Sequence, residues 1–125
     1  MVAFTKNIYT LLRLQTMREI PETDWKKLRS LKTRALNDAC ARILDAVGQI
    51  VHKKDGREHA VYLELWKLLK KEDDLIAYMF DDFKRSTAFY KLAAWKRHGL
   101  VSESDLALFT EETQAVIRLF NQNAD

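Results

Sequence analysis

The chain has 125 residues, a hydrophobic content of 47% and a formal net charge of +3, which suits one globular domain with a single core and does not demand a polyanionic partner. One proline and three glycines argue against an all-β domain, whose turns need such residues about every ten positions. Three tryptophans, four tyrosines and six phenylalanines give the chain enough to bury that disorder is not expected.

The single cysteine, Cys40, cannot close an intramolecular disulfide, so the chain is compatible with a reducing compartment and a cytoplasmic location is expected. No stretch of about twenty apolar residues is free of charge, so no membrane span is expected. Lys6 and Arg13 interrupt the N-terminal apolar run, and no small-residue cleavage pattern follows it. Charge is unevenly distributed: eleven basic and five acidic residues precede Asp55, while ten basic and thirteen acidic residues follow from it onward. Helices of opposite charge packing against one another would account for that asymmetry.

Long segments rich in Leu, Ala, Lys, Arg and Glu read as helix. A first helix is predicted over about 2–18, with Phe4, Ile8, Leu11, Leu12 and Gln15 on one stripe. Pro21 interrupts it, because proline lacks a backbone donor and restricts the residue before it. Thr23 then reads as an N-cap, with Asp24 placed to meet the helix dipole. The second helix is predicted from there to about Lys54, burying Trp25, Leu28, Ala35, Ala39, Ile43, Ala46 and Ile50 and exposing Lys26, Lys27, Arg34, Asn37, Asp45 and His52. Lys53 and Lys54 suit its C-terminus, and Gly56 suits a left-handed cap.

Neither proline nor glycine occurs between Arg57 and His98. A stripe runs through Tyr62, Leu65, Leu69, Glu72, Ile76, Met79, Phe83, Ser86, Tyr90 and Ala93. One helix over all of it would be about 63 Å long at 1.5 Å per residue, against about 35 Å for a compact domain of this size. The polar run Lys70-Lys71-Glu72-Asp73-Asp74 is therefore expected to hold a break, giving a third helix over about 57–70 and a fourth over about 73–98. Gly99 ends the fourth. Ser102 and Asp105 resemble a capping box that starts a short helix over about 103–108. Thr110-Glu111-Glu112 starts a last helix to about Asn121, packing through Ala115, Val116, Leu119 and Phe120, with residues 121–125 as a frayed tail. The expected fold is all-α: a single domain built as a five- or six-helix bundle, its long second and fourth helices packed antiparallel.

No motif carries catalytic chemistry. The three glycines are isolated, so no phosphate-cradling loop exists, and no serine sits in a nucleophile elbow. His52, Asp55, Glu58 and His59 gather near one turn but lack the paired Glu and His spacing of helical metal sites; a solvated turn explains them. Asp74, Asp81 and Asp82 read as a helix-terminal cluster and surface pairs such as Asp81 with Arg85. Cys40 has no neighbouring histidine to make it a thiolate and reads as packing. No cofactor and no metal are expected.

Two features remain. Lys26, Lys27 and Arg34 offer a contact for phosphate or an acidic partner, although no recognition spacing supports nucleic-acid readout. Trp66, Tyr78, Phe80, Phe89 and Trp95 exceed what one packing seam needs and suit partner binding. The leading expectation is a non-enzymatic helical module that binds a protein partner or a second copy of itself through apolar helix faces. The alternatives are a nucleic-acid-associated regulator using the basic second helix, and a small ligand-binding or catalytic bundle with an aromatic pocket near Trp66 and Phe83.

Overall fold

A computed structural model describes residues 19–122, and these are helical throughout apart from short connections. Five α-helices and one 3-10 turn are present among the described residues: α1 (Glu22–His52), α2 (Glu58–Phe80), the 3-10 turn (Arg85–Thr87), α3 (Ala88–Arg97), α4 (Glu103–Leu106) and α5 (Glu111–Asn121). The first helix expected from the sequence lies outside the described residues. Contacts divide the described residues into two compact units, one formed by 19–31 and 82–122, the other by Lys32–Asp81.

The helix α1 follows its sequence pattern closely. Leu28, Ala35 and Ala39 are buried, while Lys26, Lys27, Arg34, Asn37, Asp45 and His52 are exposed. Its start differs by a residue or two from the expected cap. The Trp25 amide donates to the Pro21 carbonyl at 2.9 Å, so Pro21 stands where the first helical hydrogen bond is accepted and Thr23 is already inside the helix. Gly56 does take the left-handed conformation, with φ 78°, but it lies four residues past the end of α1, in the turn closed by the Arg57 amide on the Lys54 carbonyl at 2.8 Å, and is not the helix cap.

The expected break at residues 70–74 is not there. α2 runs unbroken to Phe80, because Lys70, Lys71 and Glu72 are good helix formers and nothing in that run competes for the backbone. The break falls at 81–87 instead. Asp82 has φ 53°, a left-handed conformation that aspartate tolerates better than most residues. The Thr87 hydroxyl donates to the Asp82 carbonyl at 2.7 Å, and it accepts from the Lys84 amide at 3.2 Å, a local alternative to helix. The long helix expected over 73–98 is thus the end of α2, a turn, and the ten-residue α3.

In the first unit, α3 packs on α5. Ala88, Leu92, Ala93, Ala94 and Trp95 of α3 are buried, as are Val116 and Ile117 of α5, Leu28 of α1, and Leu100, Val101, Leu106 and Phe109 from the connections and α4. Of the last helix's expected packing residues, Val116 is buried, Ala115 and Leu119 are half-buried, and Phe120 is exposed. Phe83 stacks on Trp25 at 4.9 Å and on Trp95 at 5.8 Å between ring centroids, geometry that adds to the value of burial alone.

Several helix ends in this unit are closed by specific hydrogen bonds. The Leu100 amide donates to the Trp95 carbonyl at 2.8 Å and Gly99 to Lys96 at 3.1 Å, a Schellman closure made affordable by φ 73° at Gly99. Ser102 and Asp105 form the expected capping box, each side chain accepting from the other's amide at 3.0 Å. Asn121 closes the end of α5, its amide group donating to the Ala93 carbonyl at 3.1 Å and accepting from Arg97 at 2.9 Å; residues 123–125 of the expected tail lie outside the described residues.

Two polar contacts fix the start of α1. Arg85 donates to Glu22 at 2.8 Å and to the Ile20 carbonyl at 2.9 Å. The i,i+4 pairing expected of Arg85 with Asp81 does not apply, since Asp81 lies past the end of α2. Asp24, fully buried, accepts from the Thr110 hydroxyl and the Thr113 hydroxyl, each at 2.6 Å, and from the Thr110 amide at 3.1 Å.

Candidate interaction surface

In the second unit, the buried side of α2 is lined by Val61 and Met79, with Leu65, Leu68, Glu72, Leu75 and Ile76 half-buried beside them. A second apolar line lies about 90° around the helix from it at 100° per residue. Tyr62, Trp66 and Leu69 follow one another at i, i+4 and i+7 and are 56%, 59% and 39% exposed. The Tyr62 and Trp66 rings meet edge to face at 6.4 Å, an arrangement favoured by the aromatic quadrupole. His59 and Asp73, both exposed, continue the line at either end. Leu63, 45% exposed, widens it on one side.

Two rigid aromatics and a leucine presented together differ from scattered surface hydrophobes, which are normal. Tyrosine and tryptophan offer large contact area at little conformational cost, and they anchor interfaces disproportionately. The surface holds no charged group among its three central members, so a partner desolvates little that is polar.

The five aromatics singled out in the sequence do not come together. Trp66 and Tyr78 are exposed on different sides of α2, Phe89 is half-buried, and Phe80 and Trp95 are buried. Trp95 has no exposed surface and belongs to the first unit's core. Of the expected stripe, Leu65, Glu72, Ile76 and Met79 lie on the buried side of α2, whereas Tyr62 and Leu69 at its edge are exposed, and Val61, Leu68 and Leu75 complete the buried side instead.

Lys26, Lys27 and Arg34 are exposed on α1, but Lys27 donates to the Leu108 carbonyl beyond α4 and is part of the first unit's own fabric. Phe83 is half-buried and stacks on both Trp25 and Trp95. The turn after α1 leaves His52, Asp55, Glu58 and His59 exposed, with Glu58 accepting the Gly56 amide at 2.8 Å. Among the described residues no group of three or more histidine, cysteine or acidic side chains is placed to hold a metal ion. Cys40 is a half-buried free thiol.

Electrostatics in the first unit centre on Glu103. Lys96 at 3.1 Å and Arg118 at 3.7 Å flank its carboxylate. The hydrogen bond and charge of Lys96, reinforced by Arg118, hold it below the ordinary carboxylate value of 4.5. The first unit also exposes Tyr90, stacked on Phe120 at 5.1 Å, a smaller apolar spot than that on α2. No helix among the described residues is long and apolar enough to cross a membrane. Comparison with known proteins finds no matching family model, no similar curated protein and no similar solved structure.

Proposed function

We propose that the chain is a helical interaction module whose docking surface is the Tyr62–Trp66–Leu69 line of α2. The observation that carries this reading is the exposure of two adjacent aromatics on one helix face, 56% and 59%, beside a separate face that already serves the core. A helix that needs only one packing seam gains nothing in stability from a second apolar line, and it risks aggregation. The occupant of such a line is a complementary apolar helix, which lays its own i, i+3, i+4 and i+7 residues into the groove.

Site-specific photo-crosslinking tests the reading. A photoreactive phenylalanine analogue replaces Trp66 in the full chain, and in a control chain it replaces Lys71 on the opposite side of α2. Polypeptide adducts, whether with another protein or with a second copy, are expected from position 66 and not from 71. Equal yields from the two positions, or none from 66, would overturn the proposal.

A further inference from the structure

We infer that the turn at 81–87 is a hinge with a second, straight form, in which α2 and α3 join as one continuous helix and Arg85 changes its carboxylate partner. The stretch 57–98 holds no proline and no glycine, so no residue type in it forbids a helix. The bend is made by side chains and one disfavoured backbone angle. Asp82 has φ 53°, a left-handed conformation that opposes any residue bearing a Cβ. The Thr87 hydroxyl donates to the Asp82 carbonyl at 2.7 Å and accepts from the Lys84 amide at 3.2 Å. In a straight helix the angle relaxes, and the Lys84 and Thr87 amides donate instead to the Phe80 and Phe83 carbonyls, four residues back.

Two tertiary pins hold the bend. Phe83 stacks on Trp25 and Trp95. Arg85 grips the start of α1, donating to Glu22 at 2.8 Å and to the Ile20 carbonyl at 2.9 Å. The grip is incomplete: the Arg85 Nε is buried and finds no hydrogen-bond acceptor among the described residues, the Glu19 carboxylate standing off at 3.7 Å. In the straight form Arg85 lies one turn from Asp81, an exposed acid, at the i,i+4 spacing that favours an ion pair. The two partners exclude each other, because Asp81 and Arg85 share a helix only when the turn is gone. Straightening also withdraws Phe83 and Arg85 from the start of α1. The other contacts there, Asp24 with Thr110 and Thr113 and Lys27 with the Leu108 carbonyl, lie outside the hinge and re-form on the α1 start of a second copy. Such an exchange of identical elements keeps every contact but those of the hinge, so the hinge alone sets the balance between the two forms.

Crosslinking across the exchanged contact tests this. Lys27→Cys and Leu108→Cys, in a Cys40→Ser chain, set two exposed thiols on either side of it. The protein is incubated concentrated, diluted, and treated with a short bis-maleimide. A closed chain links to itself and runs as a monomer on a denaturing gel, whereas an exchanged pair runs as a dimer. Asp82→Ala worsens the left-handed angle and improves the helix, and Asp82→Gly does the reverse, so their interchain shares are expected to differ by about tenfold or more. Glu22→Gln removes the bent-form partner of Arg85 and should raise the share about threefold. Adding Asp81→Asn removes the straight-form partner and should return it to near the starting level. In the dimer, amide exchange at Lys84 and Thr87, followed by NMR, is expected to be slower than in the monomer. Equal shares from the Ala and Gly variants, no interchain product from any variant, a Glu22→Gln effect that Asp81→Asn leaves intact, or a dimer whose hinge amides exchange as fast as the monomer's would overturn the inference.

Discussion

The carboxylate of Asp24 and the hydroxyl of Thr113 lie 2.6 Å apart, both fully withdrawn from solvent, and they tie the start of α1 to the start of α5. A buried acid is costly unless every lone pair is engaged. Here two hydroxyls and an amide engage it, and the N-terminal end of a helix dipole faces it. Asp24→Ala leaves three donors without an acceptor and is expected to destabilise the chain by roughly 3 kcal/mol. Thr113→Val, which keeps the shape and removes one donor, should cost about 1–2 kcal/mol. Urea denaturation followed by circular dichroism measures both; a loss under about 0.5 kcal/mol for Asp24→Ala would contradict this role.

Two tryptophans should respond in opposite ways to truncation. Trp95 has no exposed surface and stacks on Phe83, so Trp95→Ala is expected to cost about 3–5 kcal/mol. Trp66 is exposed, so Trp66→Ser is expected to change stability by no more than about 0.5 kcal/mol. Thermal melts of the two variants separate these outcomes.

Gly99 allows a sharp backbone test. Its φ of 73° is accessible to glycine at no steric cost, and a Cβ there is strained. Gly99→Ala should destabilise by about 1 kcal/mol, whereas Gly48→Ala, in a helix interior with no atom within 4 Å of the added carbon, should stabilise by a similar amount. Chemical denaturation of the two variants gives opposite signs if the helix boundaries are as described.

Glu103 sets a pH dependence. Its carboxyl is held below its ordinary value by Lys96 and Arg118, so the folded state binds that proton more weakly than the unfolded chain does. The stabilisation is fully present above the ordinary carboxylate range and is lost as pH falls through the lowered value. Because the group is exposed, added salt weakens the effect. Glu103→Gln should lower stability slightly near neutral pH at low salt and converge with the parent chain at low pH, giving a flatter acid limb, as read from melts between about pH 2 and 7.

Much of this architecture could be read from residue types alone. The periodicity of α1, the capping box of Ser102 and Asp105, the cap at Thr110, the left-handed turn glycine Gly56 and the closure at Gly99 are local chemistry, settled within a turn of the residues concerned. The polar run Lys70–Asp74 suggests a break, yet its helix propensity is high and α2 continues through it. The turn that does end α2 is marked by Asp82 in a left-handed conformation and by the Thr87 hydroxyl, which bonds to nearby backbone. Asp24 does sit in the first turn of α1, but its burial and its bonds to Thr110 and Thr113 are not legible locally, because those partners lie 86 and 89 residues away. The interaction surface was half legible. Surplus aromatics are evident, but the buried side of α2 is centred on Val61, Leu65, Glu72 and Met79, which leaves Tyr62 and Leu69 at its edge to face outward.

The three indoles occupy three different settings: Trp95 enclosed, Trp25 half-covered against Phe83, and Trp66 open on α2. The chain thus carries its own optical gauges. Iodide should quench one emitter readily and spare another, and any ligand or copy that settles on α2 should shift the outermost emission toward the blue. Occupancy of the face can then be followed by light alone, with no label added and no residue altered.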